Sequence, residues 1–177
     1  MRRVMKLIAA VAIAVLMSQT TTGCIRGSKR FADLKDIDGV ETLRVGMSVS
    51  KLADFALKKD KIGSGKNDVS NYMKSIKDIE VVSCDESSSI DIVAEKCQSI
   101  MDGLGYIPLL VRNEENGERT TIYIGPDGKH EGEATGLIVL DRSSGEYDLV
   151  LIEGTVEVQK LTDHFINEEK GWQRVAR

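Results

Sequence analysis

The distribution of apolar and polar positions divides the chain into segments of different character. Residues 7–17, LIAAVAIAVLM, form an unbroken apolar run. From residue 31 onward, apolar residues recur at every second position or at helical spacing, with polar residues between them. Such patterns are typical of strands and helices that bury one face. They predict a single domain over residues 31–166, preceded by a short tether at 24–30 and followed by a flexible tail at 167–177.

The first part of this domain alternates between strand and helix patterns. Strands are predicted at residues 40–47 and 79–84, where β-branched residues are frequent. A helix is predicted at residues 50–59. A second helix is predicted at 69–76, because Val69, Tyr72, Met73 and Ile76 follow the i, i+3, i+4, i+7 spacing. The segment between these helices, residues 60–68, has the composition of a loop.

Residues 88–104 have the most regular helical pattern in the chain. Ser88 and Asp91 resemble a capping box at its start, and Gly103 and Gly105 are typical of a helix end. The apolar positions between them share one helix face, which we expect to cover a sheet: Ile90, Val93, Ala94, Cys97, Ile100, Met101 and Leu104.

The following 50 residues change to strand periodicity. Four strands are predicted, at residues 106–112, 120–124, 136–141 and 147–152, and polar, glycine-containing connections separate them as in hairpins. LIVL and LVLI are apolar on both faces, which predicts central strands. A helix at 155–166 closes the domain. This order predicts an α+β fold: a largely antiparallel sheet of about five to six strands, with a C-terminal four-stranded meander and helices packed on one face.

The N-terminal apolar run is shorter than a membrane-spanning helix, which needs about 20 apolar residues. It follows the basic residues Arg2, Arg3 and Lys6 and precedes small polar residues. Residues 1–23 are therefore predicted to be a secretory signal peptide. The alternative is a buried helix of the mature fold, although helices of that kind normally have a polar face.

The end of this leader resembles the lipobox of bacterial lipoproteins. In that motif a small residue precedes a cysteine whose sulfur receives a diacylglycerol before cleavage, and Gly23 and Cys24 match this pattern. The resemblance implies lipid attachment at Cys24 and location in the bacterial cell envelope, anchored to a membrane whose leaflet the motif does not specify. Cleavage by the general signal peptidase, which leaves a free Cys24, is the open alternative.

Composition and charge restrict the partners of the mature chain. The 177 residues are 41% hydrophobic and 29% charged, which suits one folded domain. Removal of residues 1–23 takes away three of the 24 basic side chains and leaves 21 against 28 acidic ones, a net charge of −7. An acidic protein does not favour nucleic acid or anionic lipid headgroups. We therefore expect no nucleic-acid partner and membrane contact only through the lipid anchor.

Two further cysteines, Cys84 and Cys97, raise the question of a disulfide, because exported proteins meet oxidising conditions. Cys84 ends a predicted strand, whereas Cys97 lies two turns inside the next helix. A helix that runs back over the strand places the two Cα atoms beyond the limit of about 7 Å for a disulfide. We expect two buried free thiols, with the disulfide as the alternative.

Motifs for catalysis, cofactors and metals are not evident. GSGK at residues 63–66 lacks the spacing and the following hydroxyl residue of a phosphate-binding loop. His130 and His164 do not fit a zinc motif. The acidic pairs at 85–86 and 114–115 lie in predicted loops, where carboxylates are solvated. The prediction is that the chain has no catalytic, cofactor-binding or metal-binding residue.

Residues 30–165 resemble the bacterial family called domain of unknown function 4252. The resemblance rests on LKDIDGVETLRVGMSV, IKDIEVVSCDE, LVRNEENGERTTIYI and GLIVLDRSSGEYDLVLIEGTVEVQKLTDHF. It implies a small exported protein, often a lipoprotein, and no particular activity. We therefore expect a non-catalytic module that binds an unidentified envelope protein, peptide or glycan, with Thr121 and Tyr123 on the sheet face opposite the helices. An enzyme with a site assembled from scattered residues, and a structural or stress-sensing lipoprotein, are the alternatives.

Overall fold

The computed structural model describes residues 25–26, 28–46, 72–167 and 171–175. These residues form an eight-stranded sheet in the order β1-β2-β3-β7-β6-β5-β4-β8, in which every neighbouring pair is antiparallel. The strands are β1 (Ile25–Arg26), β2 (Val40–Gly46), β3 (Met73–Cys84), β4 (Ile107–Asn113), β5 (Arg119–Ile124), β6 (Glu133–Arg142), β7 (Tyr147–Glu157) and β8 (Trp172–Arg174). The helices are α1 (Ile90–Gly103) and α2 (Val158–Asn167), and a 3₁₀ turn spans Ala32–Leu34.

The predicted α+β class and the antiparallel sheet are confirmed, including the meander of four consecutive strands from β4 to β7. The sheet has eight strands instead of five or six because two short edge strands lie outside the predicted domain. Strand β1 falls in the segment interpreted as a tether and pairs with β2. Strand β8 falls in the segment interpreted as a flexible tail and pairs with β4, with Trp172 buried.

The prediction that the helices share one face of the sheet is wrong. Helix α1 packs in a cluster with Val82, Leu149 and Leu151. Helix α2 contributes Leu161 to a second cluster that contains Val150 and Ile152. Successive residues of a strand point to opposite faces, so these two clusters lie on opposite sides of β7. Strand β7 is apolar on both faces for this reason, as LVLI predicted for a central strand.

The prediction of a helix at residues 69–76 is also wrong, because β3 already begins at Met73. The pairing of β3 with β7 contains register shifts between Met73 and Ser75 and between Ile76 and Asp78. Such bulges insert an extra residue and interrupt the alternation of faces. Tyr72, Met73 and Ile76 therefore belong to one apolar cluster without being helical. The predicted helix at 50–59 and the predicted loop at 60–68 lie outside the described residues.

Strand β7 ends at Glu157 and so includes the first three residues of the predicted last helix, and α2 begins at Val158. Gly154 lies at the point where β7 passes the bulge of β3. A Cβ atom on Gly154 would lie 1.8 Å from the carbonyl oxygen of Ser75. Only glycine permits this close approach of the two backbones.

The thiols of Cys84 and Cys97 are both free and fully buried in the cluster under α1, which confirms the prediction for this pair. They pack there as small apolar side chains.

Candidate functional site

A groove of about 500 Å³ lies between α1 and strands β5 and β6. It lies on the sheet face that α1 covers, along the flank of the helix that is next to these strands. Four side chains of the helix form one wall, and side chains of three strands form the floor and the other wall: Asp91, Ala94, Glu95 and Gln98 from α1, then Arg119, Thr121, Tyr123, Leu140, Arg142 and Tyr147.

The helix wall follows from the spacing of its residues. Asp91, Ala94, Glu95 and Gln98 lie at i, i+3, i+4 and i+7, which places them on one flank of α1. The adjacent stripe, which includes Val93 and Met101, is fully buried and holds the helix against the sheet. The helix therefore presents a flank that carries carboxylates to the groove.

The floor follows from the alternation of strand residues. Arg119, Thr121 and Tyr123 are separated by two positions each, so they share one face of β5. Across the sheet, Arg119 pairs with Arg142, and Thr121 pairs with Leu140. Thr121 and Tyr123 are 5% and 8% exposed. The groove thus has hydroxyl groups and an apolar patch at its base, with two guanidinium groups at one end.

The two walls have opposite charge. A guanidinium nitrogen of Arg142 donates to Asp91 Oδ1 at 2.7 Å and so links the strand wall to the helix wall. The side chains of this pair are 45% and 90% exposed, and exposed ion pairs contribute less than about 1 kcal/mol. The side chain of Arg119 has no hydrogen-bond or ion-pair partner among the described residues. Its guanidinium is therefore available to an anionic group in the groove.

The phenol groups in the groove remain protonated at neutral pH. Burial raises the pKa of Tyr123 above its ordinary value, and it raises the pKa of Tyr147, next to the Cys97 thiol, further. Burial also raises the pKa of the Cys97 thiol to about 11, and the neighbouring Tyr147 phenol and Cys84 thiol have smaller effects. A thiol with this pKa is not a nucleophile at neutral pH. The groove therefore offers hydrogen-bond donors and charges and no activated nucleophile.

A second group of charges lies on the same face, around Glu80 in the second half of β3, and is satisfied within the chain. Glu80 is fully buried and accepts hydrogen bonds from Ser28 Oγ, from the Arg30 guanidinium and from two backbone N–H groups. Burial opposes ionisation of Glu80, but the hydrogen bonds from Ser28 and Arg30 and the charge of Arg30 outweigh it and lower the pKa. Because its acceptors are used, Glu80 holds residues 28–30 against the sheet and has no free acceptor for a ligand.

The residues singled out in the sequence lie in different surroundings. Cys24 lies outside the described residues and directly precedes Ile25, the first residue of β1. Thr121 and Tyr123 do line a concave surface, but it lies on the sheet face that α1 covers. The predicted helix-free face does not exist, because α1 and α2 cover opposite faces of the sheet. His164 is buried against the ring of Tyr72, whereas His130 is exposed in the loop before β6. None of the helices in the described part of the chain has the length and apolar character needed to cross a membrane.

Sequence reasoning missed the helix flank and the arginines of the groove. The helix flank could have been predicted from the sequence. Polar residues at i, i+4 and i+7 lie beside the apolar stripe of α1: Asp91, Glu95 and Gln98. Arg119 and Arg142 had no comparable signal, because strand pairing between β5 and β6 brings them together.

The fold and the groove define an α+β protein built on one open antiparallel sheet with a helix on each face. The chain belongs to the family described as domain of unknown function (DUF4252), whose model matches residues 34–163. This range includes α1 and strands β2 to β7, and therefore the whole groove. No curated protein and no solved structure matches the chain.

Proposed function

We propose that the protein is an exported cell-envelope protein, anchored to the membrane by lipid on Cys24, whose groove binds a peptide that carries a carboxylate. The signal-like leader and the lipobox resemblance support the anchor. The observation that supports the ligand is the Arg119 guanidinium, which has no partner within the described residues and lies beside the hydroxyl groups of Thr121 and Tyr123.

The size of the groove favours a short extended segment. About 500 Å³ is within the range of 300–1,000 Å³ that small-ligand pockets occupy. Ala94 and Leu140 supply apolar surface for the stem of a ligand side chain, and the hydroxyl groups can bond to backbone amides.

The charges favour a peptide over an uncharged glycan. A guanidinium recognises a carboxylate through two parallel hydrogen bonds, which suits Arg119. The carboxylate of Glu95 on the opposite wall is available to an amide N–H or an ammonium group of the same ligand. A neutral glycan would leave both charges unmatched, and desolvated charges without partners oppose binding.

Binding of short peptides tests the groove. Peptides with a free C-terminal carboxylate are expected to bind more tightly than the same peptides with a C-terminal amide, as measured by fluorescence anisotropy. Arg119→Ala should weaken binding of the carboxylate form about 10- to 100-fold, because a hydrogen bond to a charged group contributes about 1.5–3 kcal/mol. Lys35→Ala is the matched control, since it removes one exposed positive charge outside the groove. Equal affinity for amide and carboxylate, or an unchanged affinity of Arg119→Ala, would contradict the proposal.

Radiolabelled palmitate tests the anchor separately. Label is expected in the wild-type protein isolated from cells and should be absent from Cys24→Ser. Lack of label in both proteins would contradict lipid attachment and would leave the groove proposal to its own test.

A further inference from the structure

We propose that Asp91 is an internal competitor of the groove ligand: its carboxylate occupies the Arg142 guanidinium until the carboxylate of a peptide replaces it, and Arg119 and Arg142 then hold the peptide together. This inference rests on the proposed function and adds a second arginine to the recognition of the ligand. It also gives the helix wall of the groove a part in setting the affinity.

The two arginines lie side by side at one end of the groove. Arg119 on β5 is the direct cross-strand partner of Arg142 on β6, and both side chains line the groove. The Cβ atoms of residues paired in this way are about 4.5–5.5 Å apart, and like charges at such positions repel each other. A carboxylate has two oxygen atoms and can accept from both guanidinium groups. An anion bound between the arginines therefore offsets their repulsion.

Buried hydroxyl groups beside the arginines are also without partners. Thr121 and Tyr123 are 5% and 8% exposed, line the groove on the same face of β5 as Arg119, and form no side-chain hydrogen bond among the described residues. Tyr147 is the cross-strand partner of Arg142, and its buried hydroxyl oxygen has no hydrogen-bond partner in the described part of the chain. Buried polar groups are normally hydrogen-bonded. Their placement here favours a ligand that brings hydrogen-bonding groups next to its carboxylate.

The other charges near this end of the groove do not reach the arginine pair. On the groove side, α1 supplies Asp91 and Glu95. Asp141 and Asp148 alternate with groove residues of β6 and β7 and so point to the opposite face. Strands β4 to β7 and the loops between them carry further charged side chains at this end, none of which lines the groove: Arg112, Glu114, Glu115, Glu118 and Glu146. Their excess of negative charge lies outside the groove, where salt screens it.

The contact between Asp91 and Arg142 is weak enough to be displaced. The donor and acceptor atoms are 2.7 Å apart, but the side chains of Arg142 and Asp91 are 45% and 90% exposed. Exposed ion pairs of this kind contribute little to stability. A ligand carboxylate that bonds to Arg119 as well makes a contact that Asp91 does not make in the free protein. The ligand therefore takes the place of Asp91, and the two carboxylates compete for one guanidinium.

Affinities of three variants test this competition: Asp91→Asn, Arg142→Ala and the double variant. The probe is the tetrapeptide Ala-Leu-Ala-Leu with an N-terminal fluorophore, prepared with a free C-terminal carboxylate and with a C-terminal amide. Four residue steps along β5, from Arg119 to Tyr123, span about 13 Å, which an extended peptide of this length covers. Fluorescence anisotropy of the probe measures binding to the full chain, and urea unfolding measures the stability of each variant.

Asp91→Asn should bind the carboxylate peptide about two- to fivefold more tightly, because an exposed ion pair no longer has to be broken. Arg142→Ala should bind it about tenfold more weakly, and neither variant should change binding of the amide peptide. The double variant should match Arg142→Ala, since Asp91 competes only through Arg142. Asp85→Asn is the matched control, because it removes the same charge from an exposed position outside the groove and should leave the affinity unchanged.

Stability distinguishes competition from a structural role of Asp91. Asp91 lies in the first turn of α1, where a carboxylate stabilises the helix. Asp91→Asn should therefore be slightly less stable and yet bind the carboxylate peptide more tightly, whereas a purely structural residue would lose both.

Unchanged or weaker binding by Asp91→Asn, or a gain that persists in the double variant, would overturn the inference. Unchanged binding by Arg142→Ala would also overturn it, and a loss in Arg119→Ala would then leave the proposed function in place. Equal binding of the carboxylate and amide peptides by the wild type would contradict the proposed function and this inference with it.

Discussion

The backbone N–H of Lys29 donates a hydrogen bond of 2.9 Å to the carboxylate of Glu80, which lies 51 positions later in the chain. Glu80 has no exposed surface, and its remaining acceptors are used by Ser28 and Arg30. A buried carboxylate is tolerated only where its charge and its acceptors are matched. The contact therefore makes residues 28–30 part of the folded domain.

Glu80→Ala should destabilise the protein by about 3–5 kcal/mol, because it leaves the partly buried guanidinium of Arg30 and several donors without their partner. The free energy of unfolding from urea titration measures this loss. Glu80→Gln is the matched variant, since it keeps the size and one acceptor oxygen, and its loss should be smaller. A loss below about 1 kcal/mol for Glu80→Ala, the size of an average substitution, would show that the contact does not stabilise the fold.

Acid should weaken the same contact. The folded-state pKa of Glu80 is lower than its ordinary value of 4.5, so its stabilising contribution is complete above pH 4.5. That contribution is lost as the pH falls from 4.5 through the folded-state pKa. Unfolding midpoints in urea at a series of acidic pH values should fall more steeply for the wild type than for Glu80→Gln. Parallel curves for the two proteins would contradict this assignment.

Gly154→Ala should destabilise the sheet by about 1–3 kcal/mol, the usual cost of overpacking, or by more if the strands separate. The new Cβ would lie 1.8 Å from the Ser75 carbonyl oxygen and 3.0 Å from the terminal methyl group of Met73. Gly145→Ala is the control, because a Cβ at Gly145 meets no atom within 4 Å. Thermal unfolding should separate the two variants, and equal melting temperatures would show that the bulge yields without cost.

Asp141→Asn should stabilise the protein at neutral pH by up to about 1 kcal/mol, the scale of partly exposed charge interactions. Burial and the charge of Glu118 raise the pKa of Asp141 above 3.8, so ionisation opposes folding. The penalty is present above the folded-state pKa and disappears as the pH falls through it. The variant should therefore gain stability at pH 7 and approach the wild type in acid. Glu115→Gln, in an exposed loop, is the control, and a gain that persists in acid would contradict the explanation.

The spacing of apolar residues correctly predicted elements such as α1 and β5, in which no bulge interrupts the regular pattern. The helix predicted at residues 88–104 agrees closely with α1 (Ile90–Gly103), and the strand predicted at 120–124 agrees with β5 (Arg119–Ile124). The prediction at 69–76 failed because a bulge lets Met73 and Ile76 share a face although three positions separate them. The same i, i+3 spacing occurs in a helix, so the pattern alone does not distinguish the two structures.

The candidate site was only partly predictable. The strand pattern predicts Thr121 and Tyr123 on one face of the meander, and both line the groove. The prediction that no helix covers this face is wrong, because α1 lies on it and only α2 lies on the other. The position of α2 depends on the length of β7 and on the bulge near Gly154. Arg142 and Asp91, which are 51 positions apart, meet only after α1 has packed on the sheet.

The amino-acid sequence by itself determined the α+β class, the central position of β6 and β7, the helix α1 and the two buried thiols, because each depends on the spacing of apolar residues within one segment. The tertiary structure decided which face each helix covers, where the groove opens and how Glu80 holds residues 28–30. These features arise from pairings between residues far apart in the chain, where strand register and bulges determine which side chains meet.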